Sequence, residues 1–260
     1  KLVKNIHSSE KLENIKLSIG ATYNYEDTEW NTTDVDLTGF KNLQFLKRLE
    51  INNIDQTLIK KLENLENLEI LDISNPFMIT KEMCSYDGTI QEPLTEKDFE
   101  FIKNSKKLKI VEILFPRNAY QGHKINVDFD KFLSFINPSI NGIGIKVGFE
   151  KDKLKLATSL FDGIINNYKN IKYIELDIDC LNAPENKNEY SNEENSPYKK
   201  EIKKREKNAK NPVYVDFRKL LNLKKLRKIS LNFDENVGTR LFNINEIINH
   251  KALKEIGIEE

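Results

Sequence analysis

Residues 65–73 read Leu65-Glu66-Asn67-Leu68-Glu69-Ile70-Leu71-Asp72-Ile73. The last six hold a compact phrase: an apolar residue, two others, then apolar–x–apolar. Leu71-x-Ile73 alternates with period two, which suits a short strand with one buried face. Ile59, Leu62, Leu65 and Leu68 lead into it at spacings of three, which places them on one helical face.

Working outward, the phrase recurs as Leu12–Ile15–Leu17, Leu46–Leu49–Ile51, Leu108–Val111–Ile113, Ile140–Ile143–Ile145, Ile171–Ile174–Leu176, Leu226–Ile229–Leu231 and Leu253–Ile256–Ile258. With Leu68–Leu71–Ile73 that makes eight copies, and their middle anchors lie 34, 22, 40, 32, 31, 55 and 27 residues apart. A constant phrase at variable spacing fits stacked segments with insertions between strands. Helical spacings precede most copies: Leu37, Phe40, Leu43 and Leu46; Phe132, Phe135 and Ile136; Leu160, Phe161, Ile164, Ile165 and Tyr168; Leu220, Leu223 and Leu226; Ile244, Ile247 and Ile248. Each segment therefore reads helix, turn, strand, and such segments bury their apolar faces only against neighbours.

The phrase resembles the leucine-rich repeat family. Leu43-Gln-Phe-Leu46-Lys-Arg-Leu49-Glu-Ile51, the 65–73 stretch and Leu223-Lys-Lys-Leu226-Arg-Lys-Ile229-Ser-Leu231 carry the resemblance most clearly. It implies an α/β fold: a leucine-rich-repeat-like solenoid of about eight mostly parallel strands on one face, with helices on the other. The family's turn asparagine is missing, since the corresponding positions are Gly20, Ile54, Pro76, Pro116, Gly148, Asp179 and Asp234. A doubly wound sheet would want strands apolar on both faces, and these alternate with polar residues.

The expected organisation is one domain over residues 1–260, with a packed insertion at about 75–95 and a charged one at about 182–212. The second holds Lys199, Lys200, Lys203, Lys204, Arg205, Lys207 and Lys210 against Glu201 and Glu206, a basic arm or a solvated loop. Over the whole chain 41 Lys and Arg balance 41 Asp and Glu, and no run approaches a membrane span. That excludes a globally basic nucleic-acid binder. Two cysteines, Cys84 and Cys180, are too few for a disulfide framework. No signal pattern opens the chain, whose first residue is Lys, so the native start is expected upstream and the location intracellular.

No catalytic constellation is legible. His7, His123 and His250 share no ligand spacing, and no phosphate-loop, dinucleotide or nucleophile-elbow string occurs. The glycines of residues 141–148 alternate with strand apolars and read as thinning a strand. Asp177 and Asp179 read as surface charge rather than a cation site. No metal or cofactor is expected, and the chain is not expected to be an enzyme.

The outward strand positions are the better candidate. They pair as Lys16/Ser18, Glu50/Asn52, Asp72/Ser74, Glu112/Leu114, Gly144/Lys146, Glu175/Asp177, Ser230/Asn232 and Gly257/Glu259, six acids against two bases, with Asp179 and Asp234 extending the face. The function expected is protein–protein recognition, with Glu50, Asp72, Glu112, Glu175, Asp177, Asp179 and Asp234 meeting a basic partner; direct nucleic-acid contact ranks lower, and no membrane is involved. The narrower alternative is an inhibitor or decoy of a nucleic-acid-handling enzyme, as ribonuclease inhibitor is within the family, or of anti-CRISPR type. The Lys-, Asn- and Ile-rich composition suits an A/T-rich bacterial or phage genome. An enzyme with a site in the 75–95 insertion is the remote alternative.

Overall fold

The structure is a computed structural model that describes residues 12–18, 21–24, 29–32, 45–52, 62, 65–75, 95–115, 127–150, 153–181, 213–234 and 237–259. Its strands are β1 (Asn14–Ser18), β2 (Ala21–Asn24), β3 (Glu29–Thr32), β4 (Arg48–Asn52), β5 (Ile70–Asn75), β6 (Ile110–Leu114), β7 (Gly142–Glu150), β8 (Tyr173–Leu181), β9 (Val213–Asp216), β10 (Lys228–Phe233), β11 (Thr239–Phe242) and β12 (Glu255–Glu259). Every copy of the phrase closes in a strand. Those eight strands form one mostly parallel sheet in chain order, β1-β4-β5-β6-β7-β8-β10-β12. β9 and β11 pair in parallel, and β2 and β3 form a separate antiparallel pair. The chain is α/β with few helices. It divides into two compact units, Lys1–Pro116 with Ile125–Gly144, and Arg117–Lys124 with Ile145–Glu260.

In the first unit the anchors Ile15, Leu49, Leu71 and Val111 stand in register across β1, β4, β5 and β6. In the second, Ile174, Ile229 and Ile256 do so across β8, β10 and β12. One hydrogen-bond device sets this register. The Glu13 carbonyl accepts from Lys47 N–H (2.7 Å) and Arg48 N–H (3.0 Å), and the Lys47 carbonyl from Glu69 and Ile70 (2.7 and 2.9 Å). The Glu69 carbonyl accepts from Lys109 and Ile110, and the Lys109 carbonyl from Asn141 and Gly142. In the second unit the Lys172 carbonyl takes Arg227 and Lys228 (2.8 and 3.1 Å), and the Arg227 carbonyl takes Lys254 and Glu255 (2.8 and 3.1 Å). Each strand thus starts where the previous one offers a shared acceptor.

Side chains reinforce these turns without the missing asparagine. Ser105 Oγ donates to the Leu65 carbonyl (2.8 Å), and Asn137 Nδ2 to that of Lys106 (2.7 Å). His250 bonds the Leu223 carbonyl through Nε2 (3.1 Å).

The alternation of the strands sends their anchors inward: Leu49, Leu71, Val111, Ile143, Ile174 and Ile229 are fully buried. In the first unit Phe99, Phe115, Phe129 and Phe132 pack edge to face, with neighbouring centroids 5.2–6.5 Å apart. Phe132 belongs to helix Phe129–Phe135, whose first turn is capped by the Asp128 carboxylate accepting from Lys131 N–H. In the second unit helix Lys155–Asn167 buries Leu160, Phe161, Ile164 and Ile165. Tyr168 at its end is buried as well, which pushes its hydroxyl pKa upward.

Two expected helices are 3₁₀ rather than α. Phe217–Asn222 and Ile244–Asn249 are short segments of six residues, the length at which 3₁₀ turns commonly serve as connectors. Helix Lys155–Asn167 mixes spacings of three and four and is α. The expected helical approach 59–68 is described only in part: Leu62, Leu65 and Leu68 are buried, and residues 65–69 form a turn.

Residues 244–258 repeat residues 217–231 position for position. Phe217, Leu220, Leu226 and Ile229 are fully buried. Their equivalents are not: Ile244 is 40% exposed, Ile256 42% exposed, and Ile247 and Leu253 are half-buried. β12 is the last strand of the sheet, and its anchors lack a following neighbour among the described residues.

Candidate functional site: the outward strand positions

In the first unit one row of side chains runs in register across four strands: Lys16 opposite Glu50, Glu50 opposite Asp72, and Asp72 opposite Glu112. Alternation puts the row on the face away from the anchors, and adjacent members sit about 4.8 Å apart. Glu50, Asp72 and Glu112 are each half-buried. Lys16 Nζ lies 2.9 Å from Glu50 Oε2, and Arg48 Nε donates to Glu50 Oε1 at 2.6 Å. The hydrogen bond from Lys16, then that from Arg48, holds the Glu50 carboxyl below its ordinary pKa. The row ends at Gly144, which is buried and leaves room for the Glu112 side chain.

The second unit holds a different arrangement, one cation between two acids. Lys146 Nζ stands between two carboxylates, 3.5 Å from Glu175 Oε1 and 3.7 Å from Asp177 Oδ2. Asn232 Nδ2 donates to Asp177 Oδ1 (3.3 Å), and the Tyr173 hydroxyl bonds Glu175. Along the preceding row Lys228 pairs with Glu255 at 2.6 Å. Glu175 and Asp177 are therefore oriented by fixed donors and remain partly open to solvent.

The face ends sooner than the alternation implied. Asp179 shares the parity of Glu175 and Asp177 but is buried, so it is not presented to a partner; Asp234 is half-buried. Arg48, Tyr173 and Lys228 were missed as members of the face. Each lies two residues before an outward position already recognised, so one further step of alternation would have found them. Arg48 and Lys228 make the face less acidic than the six-to-two count suggested.

The remaining candidates separate cleanly. Cys180 is a small buried residue. His250 is buried with both ring nitrogens engaged: Nδ1 accepts from Leu253 N–H, so the proton sits on Nε2 and faces the Leu223 carbonyl. That is a turn-bracing role. His7, Cys84, His123, the 76–94 stretch of the first insertion and the 182–212 insertion with its basic arm lie outside the described residues. Among the described residues no three His, Cys, Asp or Glu side chains are grouped to hold a metal ion, and no helix is long and apolar enough to cross a membrane. Oriented carboxylates on a sheet face accept hydrogen bonds and ion pairs from an approaching cation. The chain matches no protein-family model, and no curated protein matches it.

Proposed function

We propose that the chain is a divergent leucine-rich-repeat protein, a solenoid with helices behind its sheet, that recognises a basic partner protein through the outward strand positions. The observation that carries this reading is the register of Glu50, Asp72 and Glu112, three half-buried carboxylates on adjoining strands. Three carboxylates at strand spacing concentrate hydrogen-bond acceptors along one face, which suits cationic donors of a partner. Its negative charge speeds their approach.

The experiment is affinity capture from the source cell followed by kinetics on the captured protein. Reversing Asp72 and Glu175 to Lys should slow association about tenfold at low ionic strength, with the difference shrinking as salt screens charges beyond ~8–10 Å. Unchanged affinity at low salt in a folded variant sinks the proposal. The inhibitor reading is a special case. A line of carboxylates at strand spacing offers negative charge to an enzyme that binds phosphates, and loss of nuclease activity on adding the chain would identify it.

A further inference from the structure

The turns that precede β8, β10 and β12 read Lys169-Asn170-Ile171-Lys172, Lys224-Lys225-Leu226-Arg227-Lys228 and Lys251-Ala252-Leu253-Lys254. Together they hold eight cations and no carboxylate. All but Lys228 are exposed. The shared-carbonyl hydrogen bonds align three of them directly, because Lys172 O accepts from Arg227 N–H and Arg227 O from Lys254 N–H, each at 2.8 Å. At a strand spacing of ~4.8 Å, Lys172, Arg227 and Lys254 form a ladder of like charge about 10 Å long.

The equivalent ladder in the first unit is built the opposite way. Its members Glu13, Lys47, Glu69 and Lys109 alternate in sign, with Lys47 2.7 Å from Glu13 and Lys109 2.6 Å from Glu69. Those pairs raise the Lys47 pKa and lower that of Glu69. The same backbone position is thus self-neutralising in one unit and purely cationic in the other. Among the described residues no ion pair engages Lys172, Lys225, Arg227, Lys251 or Lys254, while Lys228 is satisfied by Glu255.

We propose that this cationic rim binds the phosphate backbone of a nucleic acid. The occupant follows from what accompanies the charge. Ile171 and Leu226 are buried and Leu253 is half-buried, so these turns offer little apolar surface to a bilayer. A row of exposed cations at regular steps is what sequence-independent phosphate contact needs. Charge is also graded along these strands: Lys172, Arg227 and Lys254 precede them, and Glu175, Asp177 and Glu259 lie further along. This inference stands apart from the acidic-face reading, and its ladder of Lys172, Arg227 and Lys254 uses none of that face's residues.

The test is a binding titration of the full chain with a fluorescein-labelled oligouridylate of roughly 20 nucleotides at about 50 mM and 200 mM salt. Binding should weaken steeply between the two conditions. Replacing Lys172, Arg227 and Lys254 together by Gln should raise Kd at least about tenfold and flatten the salt dependence by about three counterions. All three side chains are exposed, so circular dichroism and the unfolding midpoint should match the parent chain. An absence of binding at low salt overturns the proposal, as does equal binding by the triple variant, which would place the contact elsewhere, on residues 199–210 for example. Competition by poly-L-glutamate as strong as that by RNA, or equal binding to anionic phospholipid vesicles, also overturns it.

Discussion

The Glu112 side chain lies across Gly144: a Cβ built on that glycine would stand 3.1 Å from Glu112 Cγ and 3.6 Å from Glu112 Cβ. The glycine is therefore a steric requirement of its neighbour's carboxylate and needs no appeal to backbone freedom. Gly144→Ala asks Glu112 to shift by a few tenths of an ångström and should change stability by less than ~1 kcal/mol. Gly144→Val should cost ~1–3 kcal/mol, because a branched side chain cannot share that space. Urea denaturation checks both, and a fully stable Val variant would remove Glu112 from this position.

The buried anchors make a second prediction. Leu71 is fully buried on a strand paired on both sides. Leu71→Ala should cost ~2–5 kcal/mol, and a loss below ~1 kcal/mol would mean that the site collapses without a cavity.

Equivalent residues of the last two repeats should respond unequally. Ile229 and Ile256 are register partners, yet only the first is enclosed. Ile229→Ala should cost at least ~2 kcal/mol and Ile256→Ala under ~1 kcal/mol. Comparable losses from both would contradict the exposure of Ile256.

Acid should destabilise the chain in a defined window. Hydrogen bonds from Arg218 and Asn243 hold the Asp216 carboxyl well below its ordinary value of 3.8, and donors hold Glu50 and Glu69 below 4.5. The unfolded chain binds protons first, so the stabilisation is complete above about pH 5 and is lost as pH falls through the lower folded-state values. The urea midpoint should be flat from about pH 7 to pH 5 and then decline, with a shallower decline in Asp216→Asn. An equal slope in that variant would assign the acid sensitivity to other groups.

The strands were legible because each carries two anchors in strict alternation, and alternation of that kind has one reading when one face is buried. Their order in the sheet followed from the repeated phrase. The helices were less legible. Spacings of three and four occur in the 3₁₀ segments (Phe217, Leu220, Leu221; Ile244, Ile247, Ile248) as they do in the α-helix, so the apolar pattern does not separate the two. Charge on the outward face was read for the residues between anchors and stopped one step short, which left out Arg48, Tyr173 and Lys228. The burial of Asp179 had no local signal, because its parity matches that of half-exposed Asp177. The contrast between the two rims was hidden for another reason. It becomes visible only once backbone hydrogen bonds show that Glu13, Lys47, Glu69 and Lys109 occupy the positions of Lys172, Arg227 and Lys254.

The shared-carbonyl joint also explains how this chain tolerates such uneven intervals. Ile174 and Ile229 are 55 positions apart, and Ile229 and Ile256 only 27, yet the two joints have the same pair of distances, 2.8 and 3.1 Å. The joint senses the residues on either side of it and not the length of the excursion that connects them. Doubling such an excursion costs only about 0.6 kcal/mol in closure entropy. A genome can therefore lengthen, shorten or exchange the connecting segments one at a time, and heredity at these loci is free to drift in length while the strand-to-strand geometry is passed on intact.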